Sequence, residues 1–456
     1  MKKIITILLL ILSLQLSAQC WQKAEAGFYH TLGVKADGTL WAWGLNDVGQ
    51  LGNGTNTNTF NPVQIGGENN WQSVAVGFNH SLAIKTDGTL WAWGRNETGQ
   101  LGDGTAIDKN TPIQIGTAAN WQSVTAGSNY SIAIKTDGTL WAWGANTLNG
   151  NLGDGTLINK NVPTQIGTDT NWQSVDAFTT HTVAVKTDGS LWTWGYNFNG
   201  QLGVGDYEDK HVPTRVGTSN SWATASAGDK FTIALRTSGT MYAFGRNSDG
   251  QLGDNSYAQH ASPVQILSHV FESVAAGSNH AIGTKADGTM WAWGNDGLGQ
   301  LGVASVSTDV GTPTQVGTGV EWQLISAGNF YSTGIKSTGG LYVWGSNNYG
   351  QLGFGDGTDT VRLTPSGVGC PTSLGVNDLV ASTMVIFPNP VNNILNVTSD
   401  NAITSASIYN VLGQEVISKS LNANEGQIDV SGLHSGSYFV KVNANNSVKT
   451  FKVIKE

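Results

Sequence analysis

Lys85-Thr86-Asp87-Gly88-Thr89-Leu90-Trp91-Ala92-Trp93-Gly94 reads as the turn and second strand of a β-hairpin. An apolar run ends at Ile84, the Asp87-Gly88 pair accepts the positive φ angles of a type I′ turn, and Leu90 to Trp93 alternate as a strand does. A two-residue turn there pairs Ile84 with Trp91, Ala83 with Ala92 and Leu82 with Trp93. Opposed residues share a face. This register therefore predicts a bulky face, Leu82/Ile84/Trp91/Trp93, and a flat one, Ala83/Ala92. A bulky face laid on the flat face of a neighbouring unit would pack closely.

The hairpin recurs, with counterparts beginning at Lys35, Lys135, Lys186, Arg236, Lys285 and Lys336. An opening aromatic stands at Trp21, Trp71, Trp121, Trp172, Trp222, Phe271 and Trp322. The aromatic pair recurs as Trp41/Trp43, Trp91/Trp93, Trp141/Trp143, Trp192/Trp194, Tyr242/Phe244, Trp291/Trp293 and Tyr342/Trp344. Gly49-Gln50-Leu51-Gly52 and a strand such as Pro62-Val63-Gln64-Ile65 complete each unit. Seven units of about fifty residues, each with four short strands, predict a seven-bladed β-propeller, which removes the edges an open sheet would expose. The tryptophan pairs are expected in the blade cores, where truncation to Ala costs about 3–5 kcal/mol.

Only 12% of the 456 residues are charged while Gly (60) and Trp (17) are abundant, which suits tightly turned, apolar β-structure rather than disorder. The formal charge is −9 and no Lys/Arg run precedes the last few residues, which argues against nucleic acid and anionic membranes as partners.

Residues 1–18 read as an export signal: Lys2-Lys3, an apolar segment from Ile4 to Leu12 too short to span a bilayer, then Leu16-Ser17-Ala18 before Gln19. No integral membrane span is expected. The propeller then covers 19–370. Cys20 sits one residue before an opening aromatic, where other units have Asn70 or Asn120; Cys370 follows the last Pro strand, where others have Gly67 or Thr117. In a closed ring the last unit meets the first as each meets its successor, so the two cysteines should lie as close as residues 67 and 70. A Cys20–Cys370 clasp follows, suited to an exported chain with two cysteines.

These repeats resemble the regulator of chromosome condensation repeat family, whose members form seven-bladed propellers. The likeness rests on Gly77-x-x-His80 followed by Ser-Leu-Ala-Ile, the Asp-Gly turn, Trp91-Ala92-Trp93-Gly94-x-Asn96 and Gly99-Gln100-Leu101-Gly102, met seven times in register from Trp21 to about Gly369. It implies a choice of roles. The eukaryotic namesake exchanges guanine nucleotide and docks on chromatin, plant photoreceptor relatives carry Gly-Trp-Arg-His motifs where this chain has Gly27-Phe28-Tyr29-His30, and a secreted bacterial relative inhibits β-lactamases through surface loops. Protein binding fits an exported acidic chain best.

After a linker, 371–384, the composition changes: Trp disappears and Asn, Ser and Val dominate. Short alternating strands over 385–456 predict a small β-sandwich. Pro388-Asn389-Pro390, Tyr409-Asn410-x-x-Gly413-Gln414, Leu433-x-x-Gly436-x-Tyr438 and the terminal Lys-Val-Ile-Lys resemble the type A C-terminal sorting domain of the type IX (Por) secretion system. That resemblance implies contact with the secretion machinery, passage across the outer membrane of a Bacteroidetes-type bacterium, and a secreted or outer-surface location.

No nucleophile elbow, phosphate-cradling glycine loop or His-Glu-x-x-His site stands in the chain, and no enzyme, cofactor or metal is expected. His30, His80, His181 and His280 share one repeat position with Tyr130, Phe231 and Tyr331, an interchange that points to packing rather than ligation. If strands run up and down, the loop joining the last two strands of each unit opens on one end, and these segments vary most: 53–61, 103–111, 154–162, 204–212, 254–262, 303–312 and 354–364. Fixed scaffold with varied loops is the arrangement of a binding face. Tyr207, Glu208, Asp209, Lys210 and His211 form the richest of them and are the candidate binding loop. The expected function is a non-enzymatic scaffold for an extracellular protein or glycan; the alternatives are an adhesive surface component and an enzyme whose site spans blades.

Overall fold

The computed structural model describes residues 20–304, 309–356, 360–370, 385–410, 414–444 and 447–456. The expected export signal, the expected linker and Gly413 of the sorting motif lie outside them. The chain divides into two compact units, Met1–Pro371 and Thr372–Glu456. Every regular element among the described residues is a strand, and no helix there is long and apolar enough to cross a membrane.

The first unit holds seven four-stranded antiparallel sheets, each with its strands in chain order. In the first blade these are β1 (Trp21–Ala26), β2 (His30–Lys35), β3 (Leu40–Gly44) and β4 (Thr59–Gln64); in the second, β5 (Trp71–Val76), β6 (His80–Lys85), β7 (Leu90–Gly94) and β8 (Lys109–Gln114). First strands line the ring's centre and fourth strands its rim. The seven-bladed propeller stands.

The hairpin register differs from the expected one by a residue. Ile84 pairs with Leu90, Ala83 with Trp91, Leu82 with Ala92 and Ser81 with Trp93. The turn is one residue longer than type I′: the Gly88 N–H donates to the Lys85 carbonyl at 2.9 Å and the Lys85 N–H to the Thr89 carbonyl at 3.1 Å. Only Gly88 has positive φ (78°), as in a type I turn closed by a left-handed glycine. Asp87 fixes this form by accepting both the N–H and the hydroxyl of Thr89, at 3.0 and 2.6 Å. With a side-chain period of two, that one residue moves both tryptophans to the opposite face.

Nesting survives with different partners. Trp91 and Trp93 share a face with Ala83 and Ser81, whose small side chains leave them room, while Leu82, Ile84, Leu90 and Ala92 form the other. Trp93 with Ala83 and Trp71 packs on Leu32, Val34, Leu40 and Ala42 of the preceding blade, and its indole N–H donates to the Gln50 carbonyl there at 2.9 Å. The second blade's aliphatic face receives Trp121, Ala133 and Trp143 of the third in the same way.

All four strands of each blade come from one repeat, so no strand crosses the seam between last and first. The seam reproduces the ordinary junction instead. Trp21 N–H donates to the Gly339 carbonyl at 3.0 Å as Trp71 N–H does to Gly38, and Trp43 Nε1 donates to the Gln351 carbonyl at 2.9 Å. The Cys20–Cys370 disulfide closes it, with Cα atoms 5.9 Å apart.

In the second unit, strands Val385–Phe387, Ile394–Tyr409, Glu415–Asp429, Gly436–Ala444 and Ser447–Lys455 form one antiparallel system. The Ile394–Tyr409 strand shifts register between Thr398 and Ile403; its first half pairs with Val385–Phe387 and its second with Gly436–Ala444. Both halves, as Leu395, Val397, Ile403 and Ile408, meet Ile428, Val440 and Val453 in one core, which makes the sheet a small sandwich. In the sorting motif, Asn389 lies between Pro388 and Pro390 and clips the last strand, donating to the Lys452 carbonyl and accepting from the Ile454 N–H, both at 2.9 Å. Gln414 closes its turn on Asn410, and the Tyr438 hydroxyl, two residues after Gly436, donates to the His434 carbonyl.

Candidate binding face

Two loops of every blade open on the same end of the ring. Residues 27–29 and 45–58 are tied together where the Leu45 N–H donates to the Tyr29 carbonyl at 2.9 Å, and Arg95–Asn79 and Ala145–Asn129 repeat the tie. Hairpin turns and interblade connections occupy the other end.

A buried asparagine holds the long loop in six of the seven blades. Asn46 Oδ1 accepts from the Leu51 N–H at 2.9 Å, while its Nδ2 donates to Asn53 Oδ1 and to the Thr55 and Thr57 carbonyls at 2.9–3.1 Å. Asn96, Asn146, Asn197, Asn247 and Asn347 make the corresponding bond to Leu101, Leu152, Leu202, Leu252 and Leu352. Neighbouring loops are also stitched together: the Gly54, Gly104 and Gly155 N–H groups donate to the carbonyls of Asn110, Asn161 and His211 in the next blade. The tips are thus exposed on a fixed base.

The candidate loop is built on this frame. Tyr207 and Glu208 are exposed, and the Glu208 carbonyl accepts from Asn197 Nδ2 at 3.1 Å. Asp209 accepts the Asn197 N–H at 2.8 Å, Lys210 pairs with Asp206 at 2.9 Å, and His211 lies against Gly150 of the preceding blade. The loop therefore presents Tyr207 and Glu208 outward, while Asp209, Lys210 and His211 hold its shape. Asp103, Asp154 and Asp254 likewise accept bonds from Thr105, Thr156 and Ser256 two residues on. No three His, Cys, Asp or Glu side chains among the described residues are grouped to hold a metal ion.

The tryptophan pairs split by depth. Trp43, Trp93, Trp143, Trp194, Trp293 and Trp344 are fully buried and Trp41 nearly so, whereas Trp91, Trp141, Trp192 and Trp291 are half-buried. A Lys ammonium covers each of the outer rings, 3.6 Å from the Trp91 and Trp291 centroids and 4.0 Å from Trp192. The recurring Lys before the turn is the sequence signal for this.

At the ring's centre the first strands enclose a cavity of about 260 Å³. One repeat position, four residues after the opening aromatic, supplies Glu25, Thr125, Asp176, Ser226 and Ser326 to its wall. Asp176 accepts from the Ser226 hydroxyl at 2.9 Å and the Ala227 N–H at 3.0 Å in the next blade, and from Thr125 at 3.2 Å in the previous one. Glu25 accepts from Ser326 across the seam at 2.8 Å. Burial raises the Asp176 carboxyl above its ordinary value and pushes Glu25 up to about 7. Comparing the repeats at this position would have exposed the two acids. Phe28, Phe78 and Phe178 close the channel at the loop end, with Phe28 at 4.7 and 4.8 Å from the other two.

The four histidines are buried around this channel. Their Nε2 atoms lie 2.8–3.0 Å from hydroxyls of the following blade, Ser81, Ser131, Thr232 and Ser332. Burial lowers each to about 3, so the rings are neutral and serve as interblade links.

Comparison with known proteins agrees with this architecture. The regulator of chromosome condensation (RCC1) repeat matches residues 37–84, 87–134, 137–185, 188–235, 238–283, 287–335 and 338–381, and the chain belongs to that repeat family. Residues 385–456 match the secretion system C-terminal sorting domain. A chain carrying it is exported by type IX secretion to the cell surface or the extracellular space. Among solved structures, yeast RCC1 (Prp20) bound to Kap60 shares 21% identity over 72% of this chain and 83% of its own, with a TM-score of 0.65. Human WBSCR16 shares 18% over 73% and 94%, at 0.66. Prp20p from Saccharomyces cerevisiae, described with its binding to Gsp1p and histones, shares 20% over 75% and 87%, at 0.65. At such identities these likenesses establish the fold alone.

Proposed function

We propose that this protein is an exported, non-enzymatic scaffold that binds a protein through the long loops on one end of its propeller. The observation that carries the reading is the asparagine frame: seven loops share one buried anchor position, yet their exposed tips differ. A frame repeated for stability with tips left free to vary is how a rigid scaffold presents a recognition surface. The yeast relatives described with Kap60, or with Gsp1p and histones, are consistent with it.

A glycan partner is favoured by a different feature, a groove of about 460 Å³ at the rim between the first two blades, lined by Trp71, Trp91, Gln64 and Glu68. Aromatic and amide side chains together suit sugar rings. Size-exclusion chromatography of the secreted chain from native medium, and affinity chromatography of the same chain on immobilised oligosaccharides, test the two readings. A discrete stoichiometric protein complex supports the first; retention on immobilised oligosaccharides, abolished by Trp91→Ala, supports the second.

A further inference from the structure

We propose that the long loops of blades two to five form one continuous docking arc for a protein whose contact surface is an aliphatic or aromatic patch edged by Lys and Arg. The inference rests on the scaffold reading above and assigns that scaffold a footprint and a partner chemistry.

Single exposed apolar residues are ordinary on a protein surface, whereas a clustered set is informative. Here Ile107 in the second blade, Leu148 and Ile158 in the third, Phe198 and Tyr207 in the fourth and Tyr257 in the fifth all stand on the same connection of successive blades. Leu148 is 82% exposed, Phe198 68% and Ile107 66%. Among the described residues, the same connections of blades one, six and seven contribute no exposed large hydrophobic side chain. The arc is therefore a departure from the ring's repetition.

It is also continuous and stiff. Glycine N–H groups of one loop bond the next blade's carbonyls at Gly104, Gly155 and Gly205, and Asn199 Nδ2 donates to Gln259 Oε1 at 3.3 Å between the fourth and fifth blades. Apolar side chains held on such a base need little ordering when a partner arrives, which is what makes aromatic anchors effective at interfaces.

Charge selects the partner. Residues 95–109, 145–160, 196–211 and 246–260 contain nine acids against five Lys and Arg. Each of those five cations is already ion-paired within its own loop: Arg95–Glu97, Lys109–Asp103, Lys160–Asp154, Lys210–Asp206 and Arg246–Asp249. Glu208 is left exposed beside Tyr207 with no side-chain partner among the described residues. Within those four loops every Lys and Arg is already paired, so phosphate, sulfate and uronate groups find no unpaired cation there, and anionic glycans, lipid headgroups and nucleic acids fit poorly. A basic-edged apolar protein surface complements the arc on both counts.

The test uses the full secreted chain carrying a benzophenone photo-crosslinker at position 198 or, as a control on the opposite end, at exposed position 320, irradiated in medium conditioned by the exporting cells. The expected result is a protein adduct from 198 and none from 320, with the crosslinked segment containing apolar residues flanked by Lys or Arg. Adduct yield should fall at least tenfold in Leu148→Glu/Tyr257→Glu, whose thermal midpoint should match the parent because both sites are exposed. A protein adduct from 320, or a yield that the double variant leaves unchanged, overturns the arc while the scaffold reading stands. An adduct with a second copy of the chain, with a glycan, or with an acidic segment overturns the proposed partner chemistry. No adduct from either position, with no complex in the medium, removes both.

Discussion

Phe28 of the first blade stacks on Phe178 of the fourth, ring centroids 4.8 Å apart and planes 20° from parallel, across the end of the central channel. Two non-adjacent blades thereby touch at the ring's axis, and the cavity holding Glu25 and Asp176 is covered on that side. Replacing Phe178 with Ala removes the lid at a cost of about 3 kcal/mol. Thermal unfolding checks the stability loss, and titration of Glu25 should show its carboxyl falling toward the ordinary range as water enters.

Glu25 links stability to pH. Its carboxyl is raised from 4.5 to about 7 in the folded chain, so the folded state holds more protons than the unfolded state between those values, and unfolding free energy falls as pH rises through that window. Glu25→Gln should flatten this part of the stability profile. Denaturant midpoints of parent and variant at pH 4, 5, 6 and 7 measure it.

Blade six breaks the asparagine frame. Asp296 stands where six blades have Asn, its Oδ1 accepting the Leu301 N–H at 3.0 Å and its buried Oδ2 lacking a partner among the described residues. Burial lifts the carboxyl to about 6 from 3.8, so it weakens the fold as pH rises across that interval. Asp296→Asn restores the donor and should stabilise the protein at pH 7 by about 1–3 kcal/mol, the usual penalty for an unsatisfied buried group. Calorimetry at pH 5 and pH 8 should show the gain concentrated at the higher pH.

The two tryptophans of a hairpin should not cost the same. Trp93→Ala empties a site between blades and loses the bond to Gln50, an expected loss of about 3–5 kcal/mol; Trp91→Ala, at a half-buried ring, should lose less than half of that. Equal losses in urea titrations would contradict the split by depth.

That split marks what could be read from residues alone. Blade number and the Cys20–Cys370 clasp followed from repeat arithmetic, because equivalent positions in a closed ring have equivalent neighbours, whereas the sorting tail was legible in its motifs, such as Pro388-Asn389-Pro390. The turn did not, since Asp87-Gly88 serves both a two-residue and a three-residue turn. The Thr89 hydroxyl decides between them, accepting from Trp91 Nε1 at 2.9 Å while donating to Asp87. At the binding end, Tyr207–His211 stood out for its charges, yet Asp209 and Lys210 are engaged within the loop. The tips that face solvent, such as Leu148 and Phe198, are apolar and look like core residues until the frame beneath them is known.

Binding by loop tips on a shared frame is tested most directly by levelling the tips. Grafting the first blade's Thr55-Asn56-Thr57-Asn58 onto residues 105–108, 156–159, 206–209 and 256–259, together with Leu148→Asp and Phe198→Asp, keeps every buried asparagine and removes the apolar tips of blades two to five. Titration of the partner recovered from native medium against parent and levelled proteins should show affinity falling at least a hundredfold with the thermal midpoint nearly unchanged. Full affinity in the levelled protein would contradict the account.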